Sequence, residues 1–187
     1  MTDPEAENQQ VEIVKAVPED AEAIMRIRRA GWMQAYVNEE QGITADDIKR
    51  KFSDETIAEG VENWRQGIAG DVNSTQRATF VARKDGEVVG FVAPRIMDDG
   101  KNTRRLGAMY VDESAQGLGV GGALLTKALE WHGPEDVYLN VVSYNDHAIG
   151  FYEHFGFVRT GVETEEELDK KDGTKLLPEI EMVHRAK

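Results

Sequence analysis

The chain contains the run Gln116-Gly117-Leu118-Gly119-Val120-Gly121-Gly122. It follows a strand-like apolar stretch, Leu106 to Val111, and opens an apolar-periodic segment, Ala123 to Trp131. A glycine-dense turn entering a helix suits one kind of chemistry. With few side chains in the way, consecutive backbone N–H groups can close around a phosphate at the positive end of the helix dipole. The same glycines would also serve a tight strand-to-helix turn with no ligand.

Two common phosphate motifs fail. A Walker loop needs Gly-Lys followed by Ser or Thr, which is absent from the chain. Gly117, Gly119 and Gly122 match the dinucleotide pattern Gly-x-Gly-x-x-Gly in part. That pattern belongs after the first strand of a βαβ unit, with an acid ending a later strand. Here the turn lies past mid-chain, and Asp136 precedes a strand.

A second block lies downstream: Leu139-x-Val141, then Asn145, Ala148, Tyr152 and Gly156-Phe157. Together with Gln116-x-x-Gly119-x-Gly121, it resembles the GNAT family of N-acetyltransferases. The likeness runs from about Val11 to Arg185 and is densest from Tyr110 to Phe157. It implies acetyl-CoA as cosubstrate, with the backbone of Gln116, Gly117, Leu118, Gly119, Val120, Gly121 and Gly122 on its pyrophosphate. It further implies that Tyr110 and Val111, on the fourth strand, meet the pantetheine amides, and that Asn145 contacts the same arm. Asn145 also reads as a helix cap, and the two roles are compatible.

Transfer of an acetyl group to an amine requires three things: a deprotonated amine, a polarised carbonyl and a stabilised leaving thiolate. The chain has no cysteine and no Gly-x-Ser-x-Gly elbow, so direct attack by the amine is the simplest course. The resemblance makes Tyr152 the general acid at the sulfur, and the same residue reads equally as a core tyrosine on an apolar helix face. The base stays open. The strand Leu106 to Val111 has no acid, so Asp112, Glu113, Glu39, Glu40 or a water chain are the alternatives. Trp32 and Tyr36, four apart, read either as core or as aromatic faces for a cation. The four histidines lack metal-ligand spacing, so no metal is expected.

These residues need a scaffold. Met1 to Gln10 reads as a disordered tail, and 11–187 as one N-acetyltransferase domain. Val11 to Ala16 alternates as a strand. Pro18-Glu19-Asp20 starts a helix ending near Gly31, and Trp32–Tyr36 with Ile43–Ile68 forms a second helical region, capped by Thr44 and Asp47. Asp85-Gly86 joins two strands as a hairpin, and Asp172-Gly173 joins the last two. The predicted class is α/β (α+β). A mixed, mostly antiparallel sheet flanked by helices runs in the order β-α-α-β-β-β-α-β-α-β-β, which matches the GNAT fold.

Composition narrows the partners. The chain has 187 residues, 40% hydrophobic, enough for one core. No apolar run is long enough to span a membrane and no secretory signal is visible, so a cytoplasmic protein is expected. The net charge of −13 disfavours nucleic acid and favours a cationic partner. A small cationic amine such as a polyamine is therefore the expected acceptor. A protein N-terminus or lysine is the second reading, and a non-catalytic acyl-CoA-binding module the third. The resemblance also allows a homodimer, because final strands often pair across dimers in the family.

Overall fold

A computed structural model describes residues 11–168 and 175–186. The expected tail, Met1 to Gln10, and the Asp172-Gly173 turn lie outside the described residues. The elements run in order β1 (Glu12–Lys15), α1 (Ala21–Ala35), α2 (Ala45–Lys51), α3 (Asp54–Asp71), β2 (Phe80–Lys84), β3 (Glu87–Ile96), β4 (Arg104–Val111), α4 (Val120–His132), β5 (Val137–Val142), α5 (Asp146–His154), β6 (Phe157–Glu167) and β7 (Leu176–His184). The strands form one sheet in the order β1-β2-β3-β4-β5-β7-β6. All neighbours are antiparallel except β4 and β5, which are parallel.

The class and sheet type agree with the sequence reading, and two helical details differ. The first helix does not stop at Gly31 but continues to Ala35. Gly31 is a packing residue: a Cβ there would lie 2.4 Å from Tyr110 Cδ1, so only glycine lets the β4 ring lie against the helix. The second helical region divides at Phe52-Ser53. Phe52 leaves helical geometry at φ −108, ψ 47, and Ser53 caps the next helix by accepting from the Thr56 N–H. The hairpin at Asp85-Gly86 is as expected, with both residues at positive φ, as a type I′ turn requires.

Helices cover both faces of the sheet. On one side α4 and α5 bury Leu124, Leu125, Leu139, Met182 and Phe157. On the other, α1, α2 and α3 enclose Met25, Trp32, Ile48, Phe52 and Leu177, with Ile24, Ile27, Ile68 and Phe91 beside them. Alternation along the strands supplies apolar groups to both layers. No helix among the described residues is long and apolar enough to cross a membrane.

One buried carboxylate holds α2 to the sheet. Asp47 accepts from the Thr44 N–H at 2.8 Å and hydroxyl at 2.6 Å, closing the expected cap. It also meets Lys175 Nζ, just before β7, at 2.5 Å, and Arg50 at 2.9 Å. Lys175, then Thr44, hold the Asp47 carboxyl far below its ordinary value of 3.8. A depressed folded pKa stabilises the fold above the unfolded value, and that contribution fades as pH falls below about 4. Loss of a fully buried partner costs several kcal/mol, but Lys175 is partly exposed. Asp47→Asn is therefore expected to cost about 2 kcal/mol at pH 7. In denaturant unfolding from pH 7 to 3, the variant and parent stabilities should converge toward the acid end.

Candidate active site

The sheet opens between β4 and β5. They pair only at Arg104↔Val137 and Arg105↔Tyr138. Beyond that point β4 stays with β3 up to Gly90↔Val111, and β5 stays with β7 up to Val142↔Glu179. Among the described residues, the facing edges of Leu106–Val111 and Leu139–Val142 have no cross-strand partners, a ready template for an extended ligand. The cause is local. The β3–β4 register shifts at Ala93/Pro94, where Gly107 is left without a partner. A Cβ on Gly107 would stand 2.6 Å from Ala93 O. Proline lacks an N–H, and a bulge bends and twists its strand.

The glycine run leads from β4 into α4. Gly117 and Gly119 have φ of +76 and +79, and each faces open space. Gly119 is the N-cap, and the first bond of α4 runs from Ala123 N to Gly119 O. The amides of Val120, Gly121 and Gly122 thus belong to the first turn, where a helix cannot satisfy its own donors. No acidic side chain stands in that turn to neutralise them. Gly121 and Gly122 have another reason to be glycine. Cβ atoms there would meet Phe151 at 3.3 Å and Phe155 at 2.8 Å, so they allow α4 to approach α5. Val120 is buried in the core, whereas Leu118 is exposed. Gln116 donates to Gln34 Oε1 at 3.0 Å and to Val111 O at 3.3 Å, tying the loop to α1 and β4.

On the helical side of the opening, α5 supplies Tyr152. The residue is 9% exposed and packs on Phe151 and Phe157. Burial, then the neighbouring Tyr110 phenol, push its pKa well above the ordinary 10.0. The phenol therefore keeps its proton throughout neutral pH and acts as an O–H donor. Asn145 Oδ1 accepts from the Ala148 N–H at 3.1 Å, so the cap role is real.

Tyr110 contributes more than backbone. Its hydroxyl lies 3.1 Å from the Tyr36 hydroxyl, and burial raises the pKa of both phenols. Trp32 is buried edge-on to Tyr36, with ring centroids 4.5 Å apart. Its own neighbours cover the indole: Lys51 Nζ stands 4.5 Å from the ring centroid, and the Arg28 guanidinium 5.7 Å. That overturns the idea of a bare Trp32 face for a ligand cation. The Trp32 N–H approaches the Tyr110 oxygen but has no hydrogen-bond partner among the described residues.

A cavity of about 970 Å³ lies on the α1–α3 side of the sheet, with Trp32, Tyr36 and Tyr110 in its wall. Four carboxylates, Glu165, Glu166, Glu167 and Glu179, line it from β6 and β7. Sequence reasoning missed them, and the dense acids of β6 beside the final strand were the available signal. Asp112 proves structural: it accepts from the Ser114 N–H and hydroxyl and meets Arg26 at 2.6 Å. Ser114 foremost holds its carboxyl below the usual range, which makes it a poor base. Glu113, Glu39 and Glu40 are exposed and lie outside the cavity wall. Among the described residues no three His, Asp or Glu side chains stand as a metal cluster.

Comparison with known proteins gives a consistent set of likenesses. A family model described as "Acetyltransferase (GNAT) family" matches residues 32–157. An N-alpha-acetyltransferase of Sulfurisphaera tokodaii is 37% identical over 95 residues, which is 44% of this chain and 57% of that protein. A spermine/spermidine N(1)-acetyltransferase of Bacillus subtilis is 38% identical over 87 residues, 41% of this chain and 57% of that protein. The chain thus spans little more than half the length of these curated relatives. Among solved structures, a GNAT-family acetyltransferase of Streptococcus pneumoniae superposes with a TM-score of 0.67 at 19% identity, covering 93% of this chain and 98% of that one. The PaiA N-acetyltransferase of Thermoplasma acidophilum, solved with coenzyme A, gives 0.61 at 21% identity, covering 94% and 99%.

The two classes of glycine predict different responses to substitution. Gly122→Val forces bulk against the Phe155 ring and should cost about 3 kcal/mol of stability. Gly117→Ala meets no atom and should cost only about 1–2 kcal/mol, the strain of the left-handed backbone. Urea unfolding of both variants checks the ordering. A cheaper Gly122 variant would contradict the close α4–α5 packing.

Proposed function

The chain belongs to the acetyltransferase (GNAT) family, and we propose that it transfers an acetyl group from acetyl-CoA to a primary amine by direct attack. One observation carries this reading: the unpaired edge of β4 leads, through the short turn of residues 112–119, into the glycine N-terminus of α4. An extended arm on the strand and a diphosphate on the helix would then be parts of one continuous ligand.

In this reading the backbone of Tyr110 and Val111 receives the pantetheine amides, with Asn145 beside the same arm. The loop Gln116, Gly117, Leu118, Gly119, Val120, Gly121 and Gly122 surrounds the pyrophosphate. The bound cosubstrate supplies an activated thioester. Tyr152 holds its proton until negative charge grows on the leaving sulfur, then donates it as the general acid. A neutral phenol at that point suits chemistry better than simple binding, which weighs against a non-catalytic module.

The acceptor in this proposal is a small cationic amine such as a polyamine. The support is the cavity wall, where Glu165, Glu166, Glu167 and Glu179 have no basic side chain within salt-bridge distance among the described residues. Of the four arginines in the same wall, Arg77 and Arg105 are matched by Asp71 and Glu181, Arg28 lies against the Trp32 ring, and Arg95 is in no salt bridge among the described residues. The spermine/spermidine relative fits that acceptor class, whereas the N-alpha-acetyltransferase relative fits a protein N-terminus. A cytoplasmic location belongs to the proposal. So does a second copy of the chain pairing on the outer edge of β6, where Val158 and Val162 are exposed.

Titration calorimetry with acetyl-CoA, then thiol release over a panel of amines and peptides, tests the proposal. Binding with release on polyamines is the expected result. Release on peptides alone would move the acceptor to protein N-termini. No binding would sink the reading of the glycine loop.

Two variants separate the roles. Gly119→Asp puts a carboxylate against the pyrophosphate and should abolish binding. Tyr152→Phe should lower kcat about 100-fold with little change in acetyl-CoA affinity. Unchanged turnover in that variant would remove the acid role.

A further inference from the structure

The sequence left the proton acceptor unidentified, and the cavity offers one. Glu179 lies on β7 opposite Val142 of β5 and Thr164 of β6, on the sheet face that carries the cavity. It is half-buried and shares the cavity wall with Tyr110, the β4 residue beside the opening. Its carboxylate is held in place from one side. Asn140 Nδ2 donates to Oε2 at 3.0 Å, and the Thr164 hydroxyl donates to the same oxygen at 3.4 Å. Asn140 is itself oriented, since its Oδ1 accepts from Arg105 Nη2 at 2.5 Å. Oε2 thus has two donors, and the Glu166 side chain lies within hydrogen-bonding reach of the same carboxyl.

The surroundings keep this group basic. No Lys, Arg or His nitrogen lies within 4 Å of the Glu179 carboxyl among the described residues, and Arg105 is engaged by Glu181 at 3.3 Å. Glu166 faces it from β6, with Glu165 and Glu167 beside it on that strand. Arg28 of α1, Tyr36 at its C-terminal cap, Arg95 of β3 and Tyr110 of β4 also line the cavity. Burial first, and the charge of Glu166 after it, raise the Glu179 pKa; Asn140 and Thr164 pull it the other way. A carboxylate raised by burial and by a like charge is a better base than a free one. A separate feature marks this wall as a place for a ligand: the N–H of buried Trp32 approaches the Tyr110 oxygen but has no hydrogen-bond partner among the described residues.

We propose that Glu179 is the proton acceptor for the incoming amine, oriented by Asn140 and Thr164 in the cavity wall. This rests on the acetyl-transfer reading above. Its carboxylate takes one proton from the acceptor ammonium and frees the nitrogen lone pair. That pair forms the C–N bond to the thioester carbon as the C–S bond breaks, and Tyr152 gives the sulfur a proton. The second N–H proton replaces the one that Tyr152 gave. Glu179 returns its own to solvent, so one proton is released per turnover. Glu166 acts through Glu179 as a positioning residue, by setting how readily the carboxylate holds a proton.

The test compares the full-length parent with Glu179→Gln, Glu179→Asp and Glu166→Gln, using the best amine from the thiol-release panel. Glu179→Gln should lower kcat at least 100-fold at pH 7, with acetyl-CoA affinity by calorimetry unchanged. It should also lose the acidic limb of the kcat/KM profile, its rate instead climbing with pH as solvent deprotonates the amine. Glu179→Asp should restore part of that limb. Glu166→Gln removes a like charge, so its acidic limb should move to lower pH. A raised KM with parental kcat in Glu179→Gln would mean that the carboxylate only anchors the ammonium, and the proposal would fail. It would fail equally if the acidic limb persisted in that variant. A parent with no thiol release on any amine would instead overturn the acetyl-transfer reading itself, and the parental control run first shows which has failed.

Discussion

The parting of β4 and β5 is the constraint on which the rest depends. A sheet interior normally pairs every backbone group, because an unpaired buried N–H or C=O costs about as much as a lost hydrogen bond. Here two parallel strands pair at two positions and then diverge. The divergence persists because each strand is held on its other side: β4 by β3, β5 by β7. Gly107 and Pro94 let the ladder slip by one residue where the bend begins. The outcome is an opening with backbone groups on both edges, a helix N-terminus at one end and a tyrosine at its side.

Packing then fixes the walls. On one face, α4 reaches α5 only because Gly121 and Gly122 offer no side chain to Phe151 and Phe155. On the other, α1 reaches β4 only because Gly31 admits the Tyr110 ring. That approach also brings the Tyr36 and Tyr110 hydroxyls within 3.1 Å. Asp47 joins α2 to Lys175 at the foot of β7, so the helical wall and the acidic strands keep a fixed separation. Close approach at glycine and a partly buried ion pair therefore act together to shape one cavity.

Charge is distributed unevenly around this cavity. Elsewhere the acids often meet arginine: Asp20 with Arg83, Asp136 with Arg185, Asp112 with Arg26. Among the described residues, the carboxylates of β6 and β7 that line the cavity do not. Unpaired like charges on one wall attract cations. In a chain of net charge −13, the sign of the field was expected; its concentration on one wall was not.

The sequence by itself determined the elements with local causes. The hairpin at Asp85-Gly86, the Thr44–Asp47 box, the Asn145 cap and the glycine turn before α4 are set within a few residues, and each formed as read. The family likeness was legible because its two motif blocks are short and local. Features needing two distant segments were not legible. Gly31 looked like a helix stop because its partner, Tyr110, is remote in sequence. Asp112 could be weighed as a base because Arg26 was not visible beside it. Glu179 was passed over because a strand pattern states which face a residue takes, not which strand lies next to it. Its position beside Asn140, Thr164 and Glu166 exists only once β7 inserts between β5 and β6, and that insertion is a long-range pairing no local pattern encodes.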